Sequence, residues 1–586
     1  MAINFFNEIT ANNSSHYIAA ALSDRVSTAN TNLTTQDMVF TLDKDILYGA
    51  KVDQGNVKLT IPNNIWVSGQ SYEMYDSSNI ITNFYVVVDE NDGTKSVFKC
   101  LKNSKTFNGG NITILPSTIK PSKFFTNMSD MLYKTSDGYI WKYMYNLTTN
   151  EVAKFCSSNF VAVKIDNAIA NTAVNGAIDI INITSPGSGY NKYAYASISQ
   201  ATIGGNLLKY KIIPTEFSNI YEFTLSGANT FVVNTSVDII SNNITIATGT
   251  VYNISGNIMK VISSFNQNLN TFLPVKIKQG IVEETFTSFV KTNIPNISLE
   301  QNAYLGHSVY VRSGTGSGQY NIITDYSITA NQFILTFKNS FTLTLDSTSK
   351  IEILPTIEVI GDGNNLQAIP RIDSQTNSII DIEVINKGSG YTYADAVVSG
   401  NNAYINYAGQ TIFPIDAKIS PVISPIGGHA SDAINELGCN GVCVYSELDS
   451  SLPQTNSYKK IVLFDKATFN AANTHFSDIV TANVSINYSG INGTGFQIGE
   501  EVTQNNSKAI VFNANTSAIE LTSIKSTISA NSTPLIGSTS GSIATASAVS
   551  TTNRIKSKLH PLYIEDFENA INRDINTDII KLNIQF

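Results

Sequence analysis

Short runs in which apolar and polar residues alternate dominate the chain, and a period of two predicts β-strands. The runs 84–89 and 97–101 are rich in Val, Phe and Tyr, and Glu90-Asn-Asp-Gly93 joins them. Because Asn-Asp-Gly supplies the backbone angles of a tight turn, the two runs predict an antiparallel hairpin. In the run 139–147, alternation predicts one core-facing stripe formed by Trp141, Tyr143, Tyr145 and Leu147.

Few segments favour a helix, and all of them are short. The Ala-rich stretch 16–22, the turn around 129–132 and the stretch 431–437 are the helical candidates. In the last of these, Ser431 or Asp432 can cap the first turn and Gly438 ends it. The sequence therefore predicts a mainly β protein with few short helices.

Two internal regions differ from the rest of the chain in composition and in the spacing of their β-type runs. Residues 166–415 consist of β-type runs every 8–12 residues, separated by Gly, Asn and Ser, as in β-sandwiches or barrels. Within them, a strand followed by Gly187-Ser-Gly-Tyr190 recurs as a strand followed by Gly388-Ser-Gly-Tyr391, which predicts two matching strand–turn–strand units. Residues 473–550, rich in Ser, Thr, Ala and Asn, still alternate and predict a small β-domain.

The last nine residues, 578–586, read as a strand that ends inside a core. Ile580, Leu582, Ile584 and Phe586 lie on one of its faces. The five predicted segments are an N-terminal β-rich frame, 1–165; inserted β-modules, 166–415; a return to the frame, 416–472; a small β-insert, 473–550; and a C-terminal strand segment, 551–586. The fold class is therefore multi-domain, with sandwich-like or barrel-like modules nested in a discontinuous N- and C-terminal frame.

Composition excludes several classes of protein. Of 586 residues, 42% are hydrophobic and 14% charged, with a net charge of −9, which argues against a disordered chain and against an ordinary nucleic-acid binder. The sequence has neither a secretory-signal pattern nor an apolar run of membrane-spanning length, so we expect no membrane insertion. Four scattered cysteines indicate a chain made in a reducing cytoplasm.

Few sequence motifs indicate a catalytic or ligand-binding site. The glycine-rich segment 312–320 is followed by a β-type run, so a hairpin turn is favoured over a nucleotide-binding loop. Cys439 and Cys443, with His429 upstream, lack the second ligand pair of structural zinc, and the five histidines are too dispersed in sequence to indicate a cluster. We therefore expect no enzyme activity, no cofactor and no metal, although a catalytic pair formed by distant residues remains open.

Five segments, in order, carry a resemblance to a known family. They are 66–76, 97–103, 136–145, 423–438 and 562–586. Together they resemble the peripheral baseplate wedge subunit of T-even-type contractile-tailed phages, in the long form of marine-phage relatives. The matching positions are Trp66, Gly69, Tyr72, Tyr75, Cys100, Asp137, Gly138, Tyr139, Trp141, Tyr143, Gly428, His429, Glu436, Leu437, Tyr563, Glu565, Arg573 and Phe586.

The resemblance covers about half of the chain and implies a structural protein of the virion tail. It implies contacts with other baseplate wedge and tail proteins, a homodimer or several copies per wedge, and no catalytic residue. The sequence departs from the family at Ala430, where relatives often have Gly, and at Phe567, in a segment where relatives have Asn-Arg. The extra length relative to the T-even member falls in 166–415 and 473–550.

Two other functions stay open at this stage. Exposed aromatic residues and Asn-rich loops in the inserts are compatible with a receptor-binding or fibre-attached β-sandwich that binds host glycans. A tail glycan hydrolase would require two acids facing each other across a groove. The adjacent acids Glu283-Glu284 and Glu500-Glu501 point to opposite faces of a strand and do not meet that requirement.

Overall fold

A computed structural model shows a mainly β protein, which confirms the predicted fold class. The structure describes all residues except 13, 15, 22–45, 77–80, 109–110, 125–130, 191–193, 228–230, 264–268, 296, 299, 331, 374–375, 400–403, 406–410, 449–456, 466–478, 481–483, 526, 552–559 and 573–577.

The strands of the first third are β1 Tyr17–Ala21, β2 Ile46–Lys51, β3 Val57–Pro62, β4 Tyr85–Asp89, β5 Lys95–Lys102, β6 Lys105–Asn108, β7 Asn111–Ile114, β8 Leu132–Lys134, β9 Ile140–Leu147, β10 Phe160–Ala162, β11 Ile178–Ser185 and β12 Ala194–Gln200. The next are β13 Lys209–Pro214, β14 Phe217–Thr224, β15 Ser236–Ser241, β16 Ile244–Ser255, β17 Ile258–Ser263, β18 Val275–Gln279, β19 Val282–Phe286, β20 Val290–Pro295, β21 Ser308–Ser313, β22 Tyr320–Thr329, β23 Gln332–Phe337 and β24 Lys350–Leu354.

The remaining strands are β25 Thr356–Gly361, β26 Asn364–Ile372, β27 Ile379–Ser389, β28 Ala394–Ser399, β29 Tyr404–Ile405, β30 Thr411–Ile412, β31 Lys418–Ile423, β32 Gly441–Leu448, β33 Ser457–Asp465, β34 Ile479–Val480, β35 Val484–Asn492, β36 Glu501–Gln504, β37 Ser507–Ala514, β38 Ala518–Lys525, β39 Pro534–Gly537, β40 Ile543–Thr551, β41 His560–Asn572 and β42 Asp578–Gln585. The helices are α1 Ala2–Ile9, α2 Thr149–Phe155, α3 Asn167–Ala170 and α4 Ala433–Glu436, with 3-10 turns at Gln54–Asn56 and Leu269–Phe272. None of the helices among the described residues is long and apolar enough to cross a bilayer.

Two sheets join strands from both ends of the chain. One has the order β34-β2-β1-β33-β41, and the other has the order β10-β3-β32-β42. Their apolar faces share a core that contains Leu59, Val444, Leu463 and Leu582. The C-terminal strand β42 therefore pairs with β32 rather than with its nearest sequence neighbours, as a discontinuous frame requires.

The chain end itself is less buried than the sequence predicts. Ile580 and Leu582 are buried and Ile584 partly so, but Phe586 is 46% exposed. Its ring lies 5.4 Å from that of Phe5, and its backbone N–H donates to the carbonyl oxygen of Asn440. The prediction that the chain ends inside a core is therefore wrong for its last residue.

The predicted helix at 16–22 is also wrong, because residues 17–21 form strand β1. This strand lies between β2 and β33, and all five of its side chains are buried. Alanine favours helices in isolation, but strand preference depends strongly on context, and here pairing with β2 and β33 on both sides outweighs the helix preference. The helix predicted at 431–437 is confirmed as α4, capped by the Asp432 side chain. Residues 129–130 of the helical turn predicted around 129–132 lie outside the described residues, and the described part is not helical, because Met131 has φ 52° and Leu132 begins β8.

The hairpin predicted from Asn91-Asp-Gly93 is present as β4 and β5, within a sheet of order β4-β5-β9-β8. The single stripe predicted for β9 is wrong. A β-bulge between β5 and β9 shifts the register between Tyr143 and Tyr145, so Trp141 and Tyr145 pack in different core clusters. Both rings are fully buried, and this sheet therefore contributes to two cores.

The inserted regions form nested β-modules. Strands β12, β13 and β21–β24 close a barrel, which confirms that the glycine-rich segment 312–320 is a hairpin turn between β21 and β22. A seven-stranded sheet of β14–β20 is inserted between β13 and β21. Near the C-terminus, β35–β40 close a second barrel, so the Ser- and Thr-rich region has a core of its own.

The two Gly-Ser-Gly-Tyr units have matching local geometry, as predicted. Each unit lies at the end of a strand with an antiparallel partner, β11 with β31 and β27 with β26, and Tyr190 and Tyr391 are buried in one shared cluster. The first glycine has φ 61° at Gly187 and φ 62° at Gly388. A Cβ on Gly187 would meet the backbone of 415–417, and one on Gly388 would meet the equivalent backbone of 364–366.

We predict that Gly388→Ala destabilises the β26–β27 hairpin by about 2–5 kcal/mol. The residue has a positive φ, which costs about 1–2 kcal/mol for an L-residue, and overpacking adds about 1–3 kcal/mol. Overpacking arises because the new methyl would lie 2.5 Å from the carbonyl oxygen of Asn364. Hydrogen exchange of β26 and β27 measures the effect.

Gly390→Ala is the matched control, since Gly390 has φ 77° but no atom within 4 Å of an added Cβ. Its cost should be limited to the backbone strain of about 1–2 kcal/mol. Equal costs for the two substitutions would contradict the packing argument.

Candidate functional site

Three of the five resembling segments, 66–76, 97–103 and 423–438, meet at a buried ion pair. Lys99 on β5 pairs through Nζ with Oε2 of Glu436 on α4, and their side chains are 0% and 3% exposed. Residues 337 positions apart in sequence thereby connect the β4-β5-β9-β8 sheet to the segment that precedes β32. Burial lowers the pKa of Lys99, while the Glu436 carboxylate opposes that shift.

Tyr75 and His429 complete this ion-pair cluster. The ammonium of Lys99 lies 4.5 Å from the centre of the Tyr75 ring, at a distance typical of a cation–π contact. The His429 ring meets the same tyrosine edge-on at 5.2 Å. Burial, reinforced by the positive charge of Lys99, holds the pKa of His429 well below its usual range. The ring is therefore neutral, and the cluster contains one cation and one anion.

Glu436 also organises the turn that carries His429. Its Oε2 accepts a hydrogen bond from the Ala430 N–H at 3.0 Å, and its Oε1 accepts one from Asp432 at 3.2 Å. Gly428 packs against the backbone of Val174, and Leu437 is buried in the core beneath α4. The segment 428–437 is thus held by one carboxylate that serves both the ion pair and the backbone.

A second group of resembling residues forms an aromatic cluster around Trp141. Its ring stacks on Tyr139 at 5.4 Å and meets the edge of Tyr72 at 5.6 Å. Cys100 is fully buried in the same cluster, and burial raises the pKa of its thiol. Tyr143 packs at the border of this cluster. The arrangement is typical of a packed core. Because the thiol is buried and stays protonated at neutral pH, it is not expected to act as a nucleophile.

Asp137 ties the loop that contains Trp66 to the aromatic cluster. Its Oδ2 accepts hydrogen bonds from the N–H groups of Thr118 and Ile119, at 2.7 and 2.9 Å, and from the Ser117 hydroxyl. That hydroxyl in turn accepts from the Trp66 indole at 3.1 Å. Partial burial raises the pKa of Asp137, but hydrogen bonds from the Thr135 hydroxyl and from the N–H groups of Ile119, Thr118 and Tyr139 hold it below its usual value.

Two matching glycines lie in the same loop network. The Gly69 N–H donates to the Ser117 carbonyl oxygen at 2.8 Å. Gly138 follows Asp137 and packs against Ser104. Ser117, which the sequence analysis did not single out, is therefore the residue that joins the Trp66 and Asp137 segments.

The C-terminal matching residues lie apart from both clusters. Tyr563 and Glu565 share a side-chain hydrogen bond on β41, which pairs with β33. Phe586 is next to α1, and Arg573 lies outside the described residues. Of the predicted positions, the structure therefore brings together Tyr75, His429 and Glu436 in one group and Trp66, Tyr72, Asp137, Tyr139 and Trp141 in another.

The surface around Trp66 exposes several large apolar side chains. Val67 is 47% exposed and Ile119 is 40% exposed. Both belong to the segments that Gly69 and Ser117 join by backbone hydrogen bonds. Val67 belongs to a segment that carries the resemblance and Ile119 does not, and this exposed apolar patch lies beside the buried aromatic cluster.

An open cleft of about 1110 Å³ lies beside β8 and β27 and includes three carboxylates. Each has a cationic partner, since Asp381 pairs with Lys102, Glu383 lies 3.4 Å from Arg312, and Asp179 lies 4.0 Å from Lys387. A general acid of a glycoside hydrolase must retain its proton near neutral pH, which a neighbouring cation disfavours. The cleft therefore offers little support for hydrolysis.

No family model matches this chain, and no curated protein matches it at a significant level. Lys99 is the main functional residue that the sequence analysis missed. It is one of two lysines in a short β-type run, and only the fold shows that it faces inward. The signal in the sequence was the single Glu of the segment 431–437, since a buried carboxylate usually requires a partner.

Proposed function

We propose that this chain is a structural subunit of a contractile-tail baseplate wedge, present in several copies and bound to neighbouring tail proteins. One observation carries the proposal. The segments 97–103 and 423–438 resemble the wedge family and are separated by the long insert 166–415, yet they meet at the Lys99–Glu436 pair. The C-terminal segment 562–586 forms β41 and β42, which belong to the two sheets that join both ends of the chain. A common ancestral frame interrupted by inserted modules would have this arrangement.

The backbone at Ala430 supports the same proposal. The wedge relatives often have glycine at this position, and Ala430 has φ 70°, a conformation that glycine adopts freely. The chain therefore departs from the family pattern at a position where its own backbone has a conformation that glycine, the family residue, adopts freely. The burial of the Lys99–Glu436 pair and of the aromatic cluster around Trp141 also fits a structural role better than a catalytic one.

Antibodies against the full-length chain test the proposal by immuno-electron microscopy of phage particles that contain it. We expect label at the baseplate, and we expect the purified chain neither to bind nor to degrade host surface glycans. Label confined to fibres together with glycan binding would favour the receptor-binding alternative. Multiple-turnover release of sugar would favour the hydrolase.

A surface variant sharpens this test. Val67→Asp combined with Ile119→Asp places two charges on the exposed apolar patch and leaves the underlying Trp66–Ser117 hydrogen bond in place. We expect a folded protein that no longer enters baseplates, because a neighbouring wedge protein would have to bury unpaired charges. Ile281→Asp is the control, since Ile281 is fully exposed between β18 and β19 outside the resembling segments. Normal assembly of the double variant would show that this patch does not contact a neighbouring wedge protein.

A further inference from the structure

We propose that Glu8, His16 and Asp465 bind a divalent transition-metal ion, for which zinc is the best fit. One ring nitrogen of His16 and one carboxylate oxygen from each acid lie within 4.8 Å of one another. The inference does not depend on the proposed function, and it concerns residues outside the ion-pair and aromatic clusters.

The fold brings these three residues together from distant parts of the sequence. Glu8 lies in α1, His16 directly precedes β1, and Asp465 ends β33. Because β1 and β33 are antiparallel with Tyr17 opposite Phe464, His16 and Asp465 occupy the next positions along the pair. The histidines appear dispersed in the sequence, and only this strand pairing places one of them beside two carboxylates.

The His16 ring is the observation that points to a ligand. The residue is 4% exposed, and its Nδ1 lies 2.6 Å from the Ser14 hydroxyl. Its Nε2 is buried and has no hydrogen-bond partner among the described residues. Buried polar atoms are rarely left without a partner, so an ion bound through Nε2 would account for this one.

The donor set favours zinc over calcium or magnesium. Zinc accepts imidazole nitrogen together with carboxylate oxygen, whereas calcium and magnesium prefer oxygen ligands alone. Zinc bonds of this kind would bring the ligand atoms to about 3.4 Å from one another in a tetrahedron. Glu8 is exposed and on a helix surface, so its side chain is free to close that distance.

His560 supports the site from outside the ligand set. Its Nδ1 lies 2.8 Å from Oδ1 of Asp465, and Asp465 itself is buried. A histidine that bonds one carboxylate oxygen orients the other oxygen toward a metal, as outer-shell partners of metal ligands commonly do. We therefore assign His560 as a positioning residue and leave the fourth coordination position to water.

Cobalt spectroscopy on the full chain tests the site. The chelator-treated protein is titrated with Co²⁺, whose visible absorption is intense in four-coordinate sites, and the bound Co²⁺ is then displaced with Zn²⁺. We expect one ion per chain with a tetrahedral cobalt spectrum and a raised melting temperature with Zn²⁺, since a ligand that binds only the folded state stabilises it. No spectrum and no melting shift at millimolar metal would overturn the proposal.

Variants assign the ligands. Glu8→Gln, at an exposed helix position that leaves folding intact, and His16→Gln should each abolish the tetrahedral spectrum. His560→Asn should keep the spectrum but weaken metal binding by about 10–100-fold. His307→Gln, which alters another buried histidine outside the cluster, should bind normally. An unchanged spectrum in both Glu8→Gln and His16→Gln would also overturn the proposal.

Discussion

Deletion of residues 578–586 is expected to leave the chain unable to form its frame. The lost strand β42 pairs with β32 along its whole length, from Asp578 opposite Leu448 to Gln585 opposite Gly441. Its removal uncovers the backbone edge of β32 and deletes the buried Ile580 and Leu582, each worth about 1.5–3 kcal/mol. The two side chains together are worth about 3–6 kcal/mol, and the lost backbone pairing adds to this, so the total is comparable with the typical domain stability of about 5–15 kcal/mol.

Expression and solubility of the truncated chain measure this effect, because a protein that does not fold has no equilibrium to follow. Two point variants separate packing from the backbone contribution. Leu582→Ala should cost about 2–5 kcal/mol, whereas Ile579→Ala, on the exposed face of the same strand, should stay within about 0.5 kcal/mol. A soluble truncated chain with native proteolytic resistance would contradict the assigned role of β42.

Local patterns predicted the local structure well. The Asn91-Asp-Gly93 turn, the Asp432 cap and the two Gly-Ser-Gly-Tyr turns each depend on the backbone preferences of a few adjacent residues. The sequence signal and its structural cause therefore lie in the same short segment. Strand alternation likewise indicated the β class without any knowledge of which strands pair.

Features that depend on distant partners were not predictable in the same way. The helix expected at 16–22 gave way to strand β1, because the pairing with β2 and β33 outweighs the helix preference of alanine. The stripe expected on β9 failed because a bulge is a property of two strands, and a single-strand alternation cannot reveal it. The Lys99–Glu436 pair and the site at His16 depend on contacts between residues hundreds of positions apart.

Loss of the Glu436 carboxylate is the second large effect that we expect. Glu436→Gln leaves Lys99 fully buried without its counter-charge, and breaking a buried pair in this way costs about 3–5 kcal/mol. The substitution also weakens the acceptor for the Ala430 N–H, so the turn that carries His429 should loosen. Hydrogen exchange of the segment 428–438 and chemical denaturation report the two consequences.

Controls distinguish the buried charge from a general effect of charge removal. Asp89→Asn breaks the Lys95–Asp89 pair on the same sheet, where Asp89 is 60% exposed, and should cost no more than about 1 kcal/mol. Combining Lys99→Met with Glu436→Gln removes the uncompensated cation and should recover part of the lost stability. A double variant less stable than Glu436→Gln alone would contradict the electrostatic explanation.

The pH dependence of the stability of Glu436→Gln tests whether the loss comes from the unpaired lysine. Burial lowers the pKa of Lys99 below its ordinary value of 10.5, and the Glu436 carboxylate counteracts this shift in the native protein. Without that carboxylate the folded-state pKa falls further, while the unfolded chain keeps the ordinary value. Between those two pKa values the unfolded state binds more protons, so the free energy of unfolding must rise with pH. The defect of the variant relative to the native protein should therefore diminish as the pH rises from the folded-state pKa of Lys99 in the variant to that in the native protein, both of which lie below 10.5. A defect that is constant with pH would place its cause in the loosened turn rather than in the unpaired lysine.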